Sequence, residues 1–171
     1  MATLQTRFSQ NVLSEVNDLA IVVDTEEEMA GIDEALKQAA SEEAAKRDLP
    51  GKYVIPLLNT SGQPALASLQ NRSLRQRIFE TSLSRGSRGG DFDNRGVLSR
   101  VLSLRAERSA LLGFANHAEF ILANQTAQTV EAVNQMLAEL AVPAVANARR
   151  EANDLQALIE SEGDDFQLAA W

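Results

Sequence analysis

One histidine, His117, and no cysteine occur in the 171 residues, and these two counts decide most of the chemistry open to the chain. Without a thiol, nucleophilic catalysis by cysteine and thiolate metal sites are excluded. A serine triad would have to take His117 as its base. The spacing His117-Ala118-Glu119 has the form of the deaminase HxE, but those enzymes hold zinc through cysteines, and none exists here. A helical HExxH site needs two histidines and cannot form. The carboxylate pairs Glu27 with Glu28 and Asp164 with Asp165 are residue types suited to acid–base work, yet they lie in polar runs where burial is not expected to shift a pKa. Asn116 followed by Glu119 forms a capping box. His117 is therefore expected as a partly exposed helix-surface residue. No catalytic, cofactor-binding or metal-binding residue is assigned.

Charge is the next candidate for chemistry. The net charge of −8 is unevenly spread: residues 1–71 carry 5 basic and 11 acidic side chains, 72–108 carry 9 and 4, and 109–171 carry 2 and 9. Arg85-Gly86-Ser87-Arg88-Gly89-Gly90 echoes an RGG segment. No aromatic platform accompanies it, and the acidic flanks would repel a phosphate backbone, so no nucleic-acid partner is expected. These arginines are expected to pair with the chain's own acidic helices. The glycines from Gly86 to Gly96 could wrap an anion, but there is no Walker lysine and no GxGxxG after a strand, so the stretch reads as a flexible loop.

The elements that would position these groups are mainly helical. Val97, Val101, Leu104 and Leu111 recur at helical spacing, widened by Leu98, Leu102 and Leu112, which predicts a core-facing helix closed by a left-handed Gly113. A short helix follows from Asn116, with Phe120 and Ile121 on its apolar face. From the N-cap Thr129, the apolar positions Val130, Val133, Leu137, Leu140, Val145, Ala148, Ala152, Leu155 and Ile159 stay in phase to about Ser161. Pro143 removes a backbone donor, so a kink or two helices end to end are expected there.

Upstream, Leu4, Phe8, Val12 and Val16 predict an opening helix over residues 3–17. Leu19 to Val23 is β-prone, Thr25 with Glu28 predicts a second capping box before Gly31, and Asp33 caps a helix to about Arg47 with Leu36, Ala40 and Ala44 inward. Lys52 to Leu58 reads as a strand, with Pro56 restricting it to an edge. A turn at Asn59 to Gly62, Pro64 at an early helical position, and a helix from Ser73 with Leu74, Ile78, Phe79 and Leu83 inward complete the series. The fold class is thus mainly α: a multi-helix domain with at most a small two-stranded β ribbon and a long kinked C-terminal helix. Residues 1–171 are taken as one helical domain or fragment, built from 1–71, 72–108 and 109–171.

An apolar content of 44% suits a folded core. No apolar run reaches membrane-spanning length and the N-terminus lacks the pattern of a signal peptide, so a cytoplasmic protein with no membrane partner is expected. The tail Phe166 to Trp171 is apolar, more like the start of another element than a polar end.

Five stretches together carry a resemblance: Phe8-Ser-Gln-Asn-Val12, Gly51-Lys-Tyr-Val-Ile55, Asn71-Arg-Ser-Leu-Arg75, Leu111-Leu-Gly-Phe114 and Ala123-Asn-Gln-Thr-Ala-Gln-Thr129. In order and spacing, over most of residues 5–162, they resemble the upstream, non-catalytic portion of the thimet-oligopeptidase family, nearest its bacterial peptidyl-dipeptidase and oligopeptidase A branches. His117 stands where an aromatic is common in that family, and Thr126 where methionine is common.

The resemblance implies a cytoplasmic zinc metallopeptidase that trims short peptides in a channel between two helical lobes. Its zinc is held by an HExxH pair and a downstream glutamate, none of which is in this chain, so no functional residue carries over. The implied role is a segment of the channel wall, inactive alone, whose partners are the missing catalytic lobe and, in the parent, oligopeptide substrates. A free-standing helical interaction module, docking a partner near Leu155 and Ile159, is the alternative. Apolar surface left bare by a missing lobe would favour self-association.

Overall fold

A computed structural model describes residues 1–58 and 63–171; the turn expected at Asn59 to Gly62 lies outside the described residues. Among the described residues the chain is mainly helical, with one two-stranded antiparallel sheet. It divides into two compact units, Met1–Val101 with Trp171, and Leu102–Ala170.

The first unit opens with α1 (Ala2–Asp18), followed by β1 (Ala20–Val23), a single 3₁₀ turn (Glu27–Met29), α2 (Glu34–Lys46), β2 (Tyr53–Pro56), a second 3₁₀ turn (Pro64–Ala67), α3 (Arg72–Leu83) and the first part of α4 (Arg95–Leu111). The strands pair with Ile21 opposite Ile55 and Val23 opposite Tyr53. Alternation along a strand puts those four on one face, where Ile21 and Val23 join Met29, Ile32, Leu57, Leu69, Leu74 and Ile78 in the core. Val54, on the opposite face, is also fully buried. Pro56 pairs at the ribbon's end, where a missing N–H costs least.

Local signals explain most starts and stops. Asp33 accepts from the Leu36 N–H at 2.9 Å, as its N-cap position predicts. Asn71 accepts from the Leu74 N–H at 3.0 Å, so α3 starts one residue earlier than Ser73. The box expected at Thr25 and Glu28 does not form: only one 3₁₀ turn appears, without a side-chain cap. Two residues on, Gly31 takes φ +91° and the backbone of Ser68 passes so close that a Cβ on Gly31 would lie 2.1 Å from the Ser68 carbonyl oxygen. Gln70 N–H also donates to the Ala30 carbonyl at 2.8 Å. A longer helix has no room there.

Several apolar stripes face outward instead of inward. Ala40 and Ala44 are buried as expected, but Leu36 and Leu83 are exposed. In α1 the buried side chains are polar, Asn11 and Glu15, while Phe8 is exposed. They serve the glycine stretch before α4. Glu15 accepts from the Gly86 N–H, Asn11 donates to Asn94 Oδ1 at 2.9 Å, and Asn94 donates to the Phe8 carbonyl at 3.0 Å. One glycine of the stretch, Gly86, thus meets the chain's own Glu15 carboxyl through its N–H.

In the second unit, α4 ends at Leu111. Gly113, at φ +83°, closes it with a Schellman pair: Phe114 N–H to the Ser109 carbonyl and Gly113 N–H to the Ala110 carbonyl. The expected core stripe of α4 holds at Val97 and Val101 but not beyond; Leu111 is 88% exposed, and Leu98, Leu102 and Leu112 are exposed too. Then come α5 (His117–Leu122) and α6 (Val130–Ser161), a continuous helix of 32 residues, about 48 Å long at the standard rise. Thr129 caps it, accepting from Ala132 N–H at 3.1 Å. Pro143 lies inside it, so two helices end to end do not form. The tail has no regular structure, but the Gln156 side chain grips it, accepting from Leu168 N–H at 2.7 Å and donating to the Phe166 carbonyl at 3.2 Å.

Candidate functional site

His117 is positioned by the corner between α4 and α5. Asn116 accepts from Glu119 N–H at 3.0 Å, and Glu119 returns to the Ala115 N–H at 3.2 Å, so the capping box closes with its return bond one residue early. The cap consumes the glutamate of the HxE spacing. The His117 ring stacks on Phe120 with centroids 6.2 Å apart, Phe114 meets Phe120 edge-on at 5.4 Å, and the Arg108 guanidinium carbon lies 4.6 Å over the Phe120 ring. Burial, then the positive charges of Arg105 and Arg108, pull the His117 pKa down, so the ring is neutral at neutral pH. Among the described residues, neither its buried Nδ1 nor the buried Arg108 Nε has a hydrogen-bond partner. Nothing at that nitrogen orients the ring as a triad base.

The other sequence candidates scatter. Glu27 has its pKa lowered by a backbone N–H and by Thr25, the wrong direction for a general acid, and Glu28 faces Arg77 at 3.9 Å. Asp164 and Asp165 are exposed beyond α6. The arginines find partners of mixed kind: Arg77 donates to the Val22 carbonyl at 2.8 Å, Arg85 to the Leu58 carbonyl at 2.8 Å, and Arg95 pairs with Asp93 at 2.6 Å. That last contact, with the Arg95 and Gly89 N–H groups, holds the Asp93 carboxyl far below its usual range. Expected pairing with acidic helices is thus only part of what they do; carbonyls take much of it.

Zinc does not fit the donors present. The chain has one histidine and no cysteine, the histidine stands beside two arginines that repel a cation, and no cluster of three metal-ligating side chains occurs among the described residues.

A groove of about 340 Å³ in the first unit had no sequence signal. Met29, Ile32, Leu36, Ala40, Ile55 and Pro56 line it, so its wall is mostly apolar. They come from separate segments, and no local pattern brings them together. The remaining feature is α6, which has no fully buried residue; Met136, Leu137, Leu140, Val142, Val145, Leu155 and Leu158 are exposed along it.

The sequence profile of Peptidase family M3 matches residues 65–171, from the second 3₁₀ turn through α6 and the tail. This chain belongs to Peptidase family M3. Across 170 residues it is 33% identical to a dipeptidyl carboxypeptidase of Escherichia coli, covering 99% of this chain and 25% of that protein. Over 175 residues it is 31% identical to oligopeptidase A of Haemophilus influenzae, covering all of this chain and 26% of the relative. A probable cytosolic oligopeptidase A of Arabidopsis thaliana is 31% identical over 167 residues, 94% of this chain and 23% of that protein. The chain therefore spans about a quarter of the length of the curated relatives it matches. Both branches expected from the five stretches are represented among these M3 relatives. The similarity also reaches upstream of the M3 profile, through α1 and the ribbon, because nearly the whole chain aligns with each relative.

Proposed function

We propose that residues 1–171 form one non-catalytic helical segment of a zinc metallopeptidase that cleaves short oligopeptides as an oligopeptidase or peptidyl-dipeptidase. The segment builds part of the substrate-channel wall and is inactive alone. The supporting observation is the end-to-end similarity to peptidases about four times longer, carried by a chain whose donors do not fit a zinc site. Zinc belongs, on this assignment, to the parent enzyme in the cytoplasm, and the segment's partner is the catalytic lobe. No helix of the described residues is long and apolar enough to cross a membrane.

The test is hydrolysis of a quenched fluorescent peptide by the purified chain with added zinc. The expected result is no turnover above the buffer rate; zinc-dependent cleavage blocked by a chelator would overturn the assignment.

The exposed leucines of α6 favour a second reading, a helical module that keeps the peptidase scaffold and docks a protein near Leu155 and Ile159. It requires a saturable partner whose binding weakens when Leu155 is made polar.

A further inference from the structure

Two ionisable side chains, Arg108 and His117, meet one aromatic ring in the second unit, and the charge of a third, Arg105, acts on the histidine. Arg105 and Arg108 lie three residues apart on α4, hence on one helical face. Arg108 covers Phe120 at 4.6 Å, and His117 stacks on the same ring at 6.2 Å. All three are half-buried. Among the described residues no carboxylate pairs with either arginine, although the segment from residue 109 onward is strongly acidic. Glu119, the acid on the histidine's own helix, is turned away to Ala115 N–H and Asn116. Arg108 Nε and His117 Nδ1 are out of water with no partner. A buried donor without an acceptor is costly, and an arginine so placed is poised for an oxyanion.

We infer that Arg105, Arg108 and His117, at the α4–α5 corner around Phe120, form a binding site for an organic carboxylate. A carboxylate suits the corner better than phosphate does. It carries a single charge, and the acidic residues of 109–171 repel a dianion more strongly. It is also planar, matching the two-pronged donor edge of arginine. The apolar faces of Phe114 and Phe120 beside the charges suit a ligand whose carboxylate sits on a small apolar body. Bound anion would offset the field of the arginines, so His117 would protonate more readily in the complex than in the free chain.

His117 is the chain's one histidine, so its imidazole resonances report on the site without ambiguity. The 171-residue chain is titrated by NMR at constant ionic strength with N-acetyl-dialanine, whose carboxylate is terminal, and with N-acetyl-aspartate diamide, whose carboxylate is on the side chain. N-acetyl-dialanine amide and inorganic phosphate are the comparison arms. The expected result is a saturable shift of the His117 signals with at least one carboxylate, an upward move of its titration midpoint, and none with the amide. Whichever carboxylate saturates first identifies the source. Arg105→Gln and Arg108→Gln should each weaken binding about tenfold or more. Arg105→Gln carries the test if Arg108→Gln does not fold. An equal response to the amide, tighter binding of phosphate, no saturable shift, or unchanged binding in folded Arg105→Gln overturns the inference. The readout is binding without turnover, so it stands or falls apart from the peptidase assignment.

Discussion

Gly31 is the position where the fold leaves least choice. Its positive φ and the Ser68 carbonyl 2.1 Å from a would-be Cβ act together. Gly31→Ala should cost at least about 2 kcal/mol, because backbone must move. Gly51, also at positive φ but with nothing within 4 Å, is the control; alanine there should cost only about 1 kcal/mol. Urea midpoints of the two variants check the difference, and equal losses would mean that the Ser68 contact is relieved cheaply. His117 gives a pH prediction of definite sign. Its folded pKa lies below the ordinary 6.5, so as pH falls through 6.5 the unfolded chain takes up the proton first. Stability should therefore fall on acidification from pH 7 down through the folded value, and be insensitive to this group above 6.5. His117→Gln should remove that component from a series of denaturation curves across pH; an unaltered slope would show that the ring is not held neutral by the fold. At this scale the sequence was legible at several caps whose partner is three residues away, as at Asp33, Asn116 and Thr129, but not at Thr25 with Glu28. It was illegible where partners come from afar, as with Glu15 at Gly86.

Among the elements, α6 carries its own internal test. Pro143 cannot donate to the carbonyl of Glu139, yet the helix runs through it unbroken. Pro143→Ala should restore one backbone bond and raise stability by about 1–3 kcal/mol. Circular dichroism with thermal melting would read a higher midpoint, whereas a lower one would mean that the ring is packed rather than tolerated. The two strands, the caps at Asp33, Asn116 and Thr129 and the left-handed Gly113 followed from local residue types. The stripes did not, for one physical reason: periodicity tells which residues share a face, not whether anything covers it. Leu36, Leu83 and Leu111 sit at core-like spacing and remain in solvent, while Asn11 and Glu15 hold the buried side of α1. Polar burial of that kind needs acceptors and donors on another segment, here the loop before α4, and no one-element pattern encodes it.

For the molecule as a whole, uncovered apolar surface sets the behaviour in solution. Seven large apolar side chains stand exposed between Met136 and Leu158, with Val142 at 75%. Contiguous patches beyond a few hundred Å² promote association. Sedimentation velocity should show self-association that rises with concentration and recedes when Leu137 and Leu140 are both changed to glutamate; a strict monomer at high concentration would count against it. The class of fold and the family were within reach of the sequence because they rest on many weak signals spread along the chain. The groove beside the ribbon was not, since it is assembled from segments far apart, and the corner at His117 was not, since the turn between α4 and α5 sets which side chains meet there. The loop before α4 has one more consequence. It is gripped at Gly86 and Asn94 from α1, while Arg88 between those anchors is exposed. A protease that nicks the chain after Arg88 would cut the covalent thread and leave both anchors in place. The two pieces should stay together, and the same spot should accept new chain ends, so the molecule could be reassembled from halves made separately.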